Sequence, residues 1–170
     1  KDQLLGALCI DNLHKRIAVA PFEDGNVVLV DAENSSTRVL SDANEKKTHR
    51  EGPFLFNPGD EYLIDCFEDG RIKVWNHAQC IKVLEKHTKA IQCAQFLDAY
   101  TLLTAGDEKL CTWNIKSGEC ARVIELKRHI PLCFTHDGSL LVTALISQDG
   151  GCVWDVATGS LIEKFDEGTD

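Results

Sequence analysis

The feature that most constrains this chain is a short pattern that returns four times, about forty residues apart. An aspartate in a turn is followed five or six residues later by a tryptophan or a valine, as in DGRIKVWN at 69–76 and DEKLCTWN at 107–114. The four equivalent positions are Val30, Trp75, Trp113 and Trp154. Their spacings of 45, 38 and 41 residues are typical of a stacked or radial repeat. The sequence therefore predicts a fold built from four copies of one structural unit.

Each unit is predicted to contain four short β-strands. Apolar and polar residues alternate over short spans, and the spans are separated by Gly, Asp, Asn and Ser turns such as NPGDE, KSGE and ATGS. Long amphipathic stretches typical of helical repeats are missing from the pattern. The sequence predicts an all-β fold of four four-stranded antiparallel units, at approximately 4–42, 52–86, 90–126 and 130–165, within a single repeat segment spanning 1–170.

The chain resembles the WD-repeat β-propellers over essentially its whole length, as four degenerate repeats. FTHDGSLLVTA and FNPGDEYLID are similar to the F-S-P-D-G-x-x-L segment of that family, and three of the third strands end in WN, WN and WD. The resemblance implies that each unit is one blade of a propeller. Such propellers usually have seven blades, sometimes six or eight, and an open arc would expose strand edges. We therefore expect this segment to be part of a larger propeller, completed by further residues or by a second chain.

The resemblance also implies a structural His–Ser/Thr–Asp–Trp network in each blade. In the third blade the matching residues are His87, Thr104, Asp107 and Trp113. In the second and fourth blades the turn aspartate and the tryptophan match, at Asp69, Trp75, Asp149 and Trp154. Lys86 replaces the glycine that precedes the family's histidine, while His49 and His129 lie out of register with the phenylalanine that follows each of them.

Composition and motifs argue against several functional classes. The formal net charge of −9 disfavours non-specific nucleic-acid binding, and no apolar run approaches the ~20 residues of a membrane helix. The eight cysteines contain no C-x-x-C pair, so we expect small buried side chains in a reducing compartment, the cytoplasm or alternatively the nucleus. The motifs of a nucleophile elbow, a P-loop and a zinc protease are also missing, so neither catalytic residues nor a cofactor are predicted.

Three connections between the predicted blades are basic in a chain that is acidic as a whole. They are EKKTHR at 45–50, EKHTK at 85–89 and LKRH at 126–129. In the fold that the resemblance implies, these connections share one face with the second-to-third-strand turns. Ordinary solvated loop residues are one interpretation; the other is a basic rim that receives an acidic or phosphorylated protein segment. The candidate partner-binding residues are Lys46, Lys47, Arg50, Lys86, Lys89, Lys127 and Arg128.

The function predicted from these observations is a non-catalytic platform or scaffold for protein–protein interaction, within a larger multidomain protein. Rigid blades that hold loops in fixed positions lower the ordering entropy that a partner must overcome. The alternative is a structural assembly or autoinhibitory module of a larger enzyme that acts through blade edges. A small-molecule site in a central channel lacks supporting residues.

Overall fold

A computed structural model of the chain describes residues 5–21, 26–41, 49–146 and 150–165. Within these ranges the chain forms sixteen β-strands and no helix. Consequently, no helix in the described ranges could cross a membrane. The prediction of an all-β chain is confirmed.

The strands form four antiparallel sheets, each built from four strands that are consecutive in the sequence. Sheet I contains β1 (Leu5–Ile10), β2 (Arg16–Pro21), β3 (Val27–Asp31) and β4 (Thr37–Leu40). Sheet II contains β5 (Arg50–Phe56), β6 (Leu63–Phe67), β7 (Ile72–Trp75) and β8 (Cys80–Leu84). Sheet III contains β9 (Ile91–Phe96), β10 (Thr101–Gly106), β11 (Lys109–Asn114) and β12 (Glu119–Glu125). Sheet IV contains β13 (His129–Phe134), β14 (Leu140–Leu145), β15 (Gly151–Asp155) and β16 (Leu161–Phe165).

The chain divides into two compact units. The first, Lys1–Ala90, contains sheets I and II, and the second, Ile91–Asp170, contains sheets III and IV. Each unit has a hydrophobic core between its two sheets, because alternate side chains of a strand point to opposite faces and the apolar ones turn inward.

The core of the first unit joins one face of sheet I to one face of sheet II. Small and aliphatic side chains of sheet I meet larger ones of sheet II, and the buried members are Ala18, Ala20, Val27, Leu29, Leu40, Phe56, Leu63 and Trp75. Trp75 is fully buried at the end of β7, opposite Leu63 in the register of β6. Val30, the equivalent residue of sheet I, is only partly buried.

The core of the second unit repeats this arrangement. Its buried members are Leu103, Ala105, Leu110, Leu126, Leu141 and Val156, and Trp154 packs against them while remaining partly buried. Trp113 lies on the other face of sheet III and is buried. The three tryptophans thus occupy the third strands of sheets II, III and IV, as the repeat predicted, although Trp154 is less buried than the other two.

Candidate functional site

The basic connections and the acidic second-to-third-strand turns lie side by side in each unit. Lys86 and Lys89 are exposed in the segment that follows β8. Lys127 and Arg128 are exposed between β12 and β13. We call the exposed cations of each connection the basic rim of that unit: Lys86 and Lys89 in the first unit, and Lys127 and Arg128 in the second.

In the first unit the 85–89 connection packs directly on the turn between β6 and β7. Gly70 of this turn has a φ of +83°, and a Cβ added to it would lie 2.6 Å from the carbonyl carbon and oxygen of His87 and 2.8 Å from the carbonyl oxygen of Lys89. Only glycine satisfies both the left-handed conformation and this close approach. The backbone of the connection is therefore fixed against the turn, while the side chain of Lys89 remains exposed.

In the second unit the 126–128 connection is tied to the turn between β10 and β11. The Leu126 backbone N–H donates to the carbonyl of Glu108 at 2.6 Å, and the Leu126 side chain is fully buried. The carbonyl of Arg128, whose φ is +65°, accepts a hydrogen bond from the Ile146 N–H at 2.9 Å. These two hydrogen bonds, to Glu108 and to Ile146, hold the backbone in place. The exposed Lys127 and Arg128 side chains therefore project from a fixed segment.

Charges of both signs meet at this edge of each unit. Glu68 and Asp69 are exposed beside the 85–89 connection, and Asp69 forms a 2.6 Å ion pair with Arg71. In the turn beside the 126–128 connection, Asp107 lies 3.3 Å from Lys109. A cation two residues later thus partly neutralises the aspartate of each turn, so these turns are less acidic than the sequence alone suggests.

Arg50 requires a correction, because it does not belong to an exposed rim. It begins β5 and is buried, with its Nε 3.0 Å from Oδ1 and 3.1 Å from Oδ2 of Asp65. A terminal nitrogen also donates to the carbonyl of Asn26 at 3.3 Å. Lys46, Lys47 and Asp149 lie outside the described residues.

In sheets III and IV the indole N–H of the tryptophan donates to a threonine of the second strand. Trp113 Nε1 donates to Thr104 Oγ1 at 2.8 Å, and Trp154 Nε1 donates to Thr143 Oγ1 at 3.0 Å. Thr143 was not among the predicted residues, although the similarity of LLTAG and LLVTAL could have indicated it. His87 is buried in the first unit.

In sheet II a buried cluster of charges takes the place of this tryptophan–threonine hydrogen bond. Asp65 occupies the register position of Thr104 and Thr143, two residues from the position opposite the tryptophan. It binds Arg50 and lies directly opposite Lys73 in β7, which is also buried. The Lys73 ammonium lies 4.9 Å from the centroid of the buried Phe67 ring, a cation–π distance.

Trp75 Nε1 has no acceptor among the described residues. In sheet II the carboxylate that replaces the threonine is directed to Arg50 instead of the indole. Sequence reasoning missed this cluster, because a charged residue inside a strand is usually assigned to a solvated face.

The cysteines are free thiols in the structure. Burial raises the pKa of the Cys9, Cys93 and Cys111 thiols to about 12 and also raises that of Cys66. Thiolates are the reactive form, so these four are poor nucleophiles at neutral pH. Among the described residues, no group of three or more His, Cys, Asp or Glu side chains could hold a metal ion.

Comparison with known proteins agrees with this architecture. Residues 78–114 match the family model described as "WD domain, G-beta repeat". WD repeat-containing protein 19 of Homo sapiens is 30% identical to this chain over 115 residues, and the protein of the same name from Mus musculus is also 30% identical over 115 residues. Each alignment covers 62% of this chain and 9% of the relative, so the chain spans less than a tenth of the length of these curated relatives.

Proposed function

We propose that the chain is part of a WD-repeat domain and acts as a non-catalytic platform for an acidic or phosphorylated protein segment, since WD-repeat domains generally mediate protein–protein interactions. The observation that carries the proposal is the fixed backbone beneath the basic rim. Gly70 holds one connection, and the Leu126 and Arg128 backbone bonds hold the other.

The physical argument rests on preorganisation. A partner that binds side chains on an ordered backbone orders fewer residues of the platform, and so loses less conformational entropy. The alternating charges beside the rim favour a segment in which acidic residues are spaced to avoid the turn carboxylates. Complementarity of this kind sets register and association rate more than affinity. The overall charge of −9 opposes an acidic partner at long range, so binding depends on the local rim.

Charge reversal at the rim tests the proposal. The variant Lys86→Glu/Lys127→Glu changes one exposed rim residue in each unit. The matched control is Lys15→Glu/Lys116→Glu, which changes one exposed lysine per unit in turns at the opposite strand ends. The probes are a short fluorescein-labelled peptide of alternating serine and glutamate and the same peptide with phosphoserines.

We expect stopped-flow association with the parent to slow steeply between about 50 and about 500 mM NaCl. The rim variant should associate roughly tenfold more slowly at low salt and show a flatter salt dependence, whereas the control variant should behave like the parent. If the rim variant and the parent associate with the peptide at equal rates across the salt titration, the proposal that the basic rim binds an acidic segment is refuted. A difference between the two peptides shows whether phosphate is required.

A second candidate is an assembly module that acts through its sheet faces. Leu8 is 52% exposed and Val39 is 59% exposed on the face of sheet I opposite the core of the first unit. Apolar side chains on an uncovered sheet face are typical of a surface that packs on another protein element. Replacing both by serine should lower self-association of the chain in sedimentation equilibrium if this face is used, and should leave peptide binding unchanged.

For the compartment we propose the cytoplasm, with the nucleus as the alternative. The support is chemical: eight cysteines remain unpaired, which is typical of proteins in reducing surroundings. Immunofluorescence of the full-length protein tests this proposal, and a secretory location would refute it.

A further inference from the structure

A cleft of about 310 Å³ lies in the first unit, between sheet I and the third-to-fourth-strand turn of sheet II. The buried side chain of Leu29 lines it, and so do side chains that carry or can carry charge: Arg16, Asp31 and Arg38 of sheet I, and His77 of sheet II. The basic rim of this unit lies at the opposite ends of the strands. The cleft is therefore a separate feature from the rim.

Arg38 has hydrogen-bond donors that the fold does not use. Its side chain is exposed, and its Nη1 donates to the carbonyl of His77 at 3.0 Å. Its Nε and Nη2 have no partner among the residues that the structure describes. A guanidinium can hold a carboxylate through two such nitrogens in parallel hydrogen bonds. In the equivalent Arg122 of sheet III, both terminal nitrogens already donate to carbonyls of the next sheet.

Asp31 carries a negative charge that its turn does not require. Its Oδ1 accepts two backbone N–H groups of the turn that follows, at 2.9 and 3.1 Å. Sheets II and III make the equivalent turn with a neutral residue, where Asn76 Oδ1 and Asn114 Oδ1 each accept two such N–H groups. The second carboxylate oxygen of Asp31 has no partner in the described part of the chain. The charge of Asp31 is thus available to a ligand.

Arg16 does not neutralise Asp31, although the two residues are paired in the register of β2 and β3. The Arg16 Nε forms an ion pair of 2.8 Å with the buried Asp11. Its Nη2 donates to the carbonyl of Asp60 at 3.0 Å, and its Nη1 lies 2.6 Å from Nε2 of His77. The guanidinium is therefore held by Asp11 and by two turns of sheet II, and Asp31 forms no ion pair within the described ranges.

We propose that this cleft binds a zwitterion of the α-amino-acid class, with its carboxylate on Arg38 and its ammonium group on Asp31. Arg38 lies opposite Leu29, two residues before Asp31 in β3, so Arg38 and Asp31 share a face as diagonal neighbours roughly 7–8 Å apart. An α-amino acid carries both charges on one carbon atom, so a single molecule can pair with both residues. A simple anion would be repelled by Asp31, and a simple cation by Arg38. The site goes beyond the proposed function and does not depend on it.

Two-dimensional NMR of the ¹⁵N-labelled chain tests the proposal in titrations with L-leucine, whose side chain suits the apolar wall at Leu29. The matched ligands are N-acetyl-L-leucine, which lacks the ammonium charge, and L-leucinamide, which lacks the carboxylate. Leucine should shift the amide signals of residues 29–38 and of His77, with a dissociation constant on the order of 1 mM because the contacts are exposed. Each analogue should bind at least about tenfold more weakly.

Two substitutions remove one charge each from the cleft. Asp31→Asn keeps the hydrogen bonds of the turn, as Asn76 and Asn114 show, and Arg38→Gln removes the guanidinium. Each should weaken leucine binding about tenfold. The matched control is Lys82→Gln, which makes the same charge change at the equivalent position of sheet II and should bind leucine as the parent does. The amide spectrum of each unliganded variant reports whether its fold is intact, and the two analogues test the parent chain without any substitution.

Three results would overturn the proposal. Leucine may leave the amide signals of the cleft unshifted at roughly 20 mM, an analogue lacking one charge may bind as tightly as leucine, or a folded cleft variant may bind leucine like the parent. The basic rim is intact in every variant, so binding of the acidic peptides reports separately on the proposed function. Conversely, Lys86→Glu/Lys127→Glu should leave leucine binding unchanged.

Discussion

Replacing Asp65 by threonine should destabilise the first unit, although threonine is the residue that sheets III and IV carry at this position. The Arg50 and Asp65 side chains are 2% and 1% exposed, so the substitution leaves a guanidinium buried without its carboxylate. Breaking a buried pair in this way costs about 3–5 kcal/mol. The new hydroxyl can accept from Trp75 Nε1, which returns about 0.5–1.5 kcal/mol. The net expectation is a loss of roughly 2–4 kcal/mol in the free energy of unfolding.

A compensated variant separates the charge from the shape of the site. In Arg50→Leu/Asp65→Thr/Lys73→Val the buried cations are removed together with the carboxylate, and apolar replacement of a whole buried ion cluster is often neutral or stabilising. This variant should regain the parent's stability to within about 1 kcal/mol. The control is Asp69→Asn, which breaks the more exposed pair with Arg71 and should cost less than about 1 kcal/mol.

Urea unfolding followed by far-ultraviolet circular dichroism measures all four proteins. The reasoning fails if Asp65→Thr loses less than about 1 kcal/mol, because the buried charges would then be solvated or compensated elsewhere. It also fails if the compensated variant is less stable than Asp65→Thr alone.

Three further substitutions have defined expectations. Trp113→Ala removes a buried indole and its bond to Thr104, so it should cost about 3–5 kcal/mol in urea unfolding; a loss below about 1 kcal/mol would contradict the assigned register. Gly70→Ala should lower the melting temperature and slow peptide association, because its Cβ would meet a backbone carbonyl at 2.6 Å, whereas Gly59→Ala meets only ordinary contacts of 3.6 Å or more and should do neither. Burial raises the pKa of the Cys111 thiol from 9.0 to about 12. The stability that the neutral thiol contributes is therefore fully present below pH 9 and is lost as the pH rises towards 12. Cys111→Ala should therefore flatten the decline of the melting temperature above pH 9, and an unchanged slope would exclude this thiol as a cause.

The sequence predicted the strands well because their signals are local. Alternation and turn residues define a strand such as Lys109–Asn114 without reference to any other part of the chain. The pairing of Trp113 with Thr104 followed from the spacing of a known repeat. Asp69 matched that spacing too, but in the structure its carboxylate binds Arg71 of its own turn.

The burial of the charges in sheet II and the facing of the fourth-strand side chains depend on information that single strands do not carry. Arg50 looks like the last residue of a basic loop, and only the approach of Asp65 from β6 determines that it is buried. On the fourth strands, a register shift beside the tryptophan of sheets II, III and IV changes which residues share a face. A register shift of one residue moves every later side chain to the opposite face of the sheet. The face of sheet III on which Arg122 lies could therefore not be read from the sequence.

Sheet I has Val30 where the other three sheets have a tryptophan, and polar contacts attach it to sheet II. Near one end of the sheets, Arg50 of sheet II reaches the Asn26 carbonyl of sheet I at 3.3 Å. At another point, Asp60 accepts from the Asn12 side chain at 2.6 Å and from the Asn12 backbone at 2.9 Å. In sheets III and IV the polar bond of the tryptophan stays within one sheet, whereas in sheet II the equivalent carboxylate orients an arginine that binds the neighbouring sheet. The departure of sheet II from the repeat pattern thus supplies a polar contact to sheet I, the sheet that lacks the tryptophan.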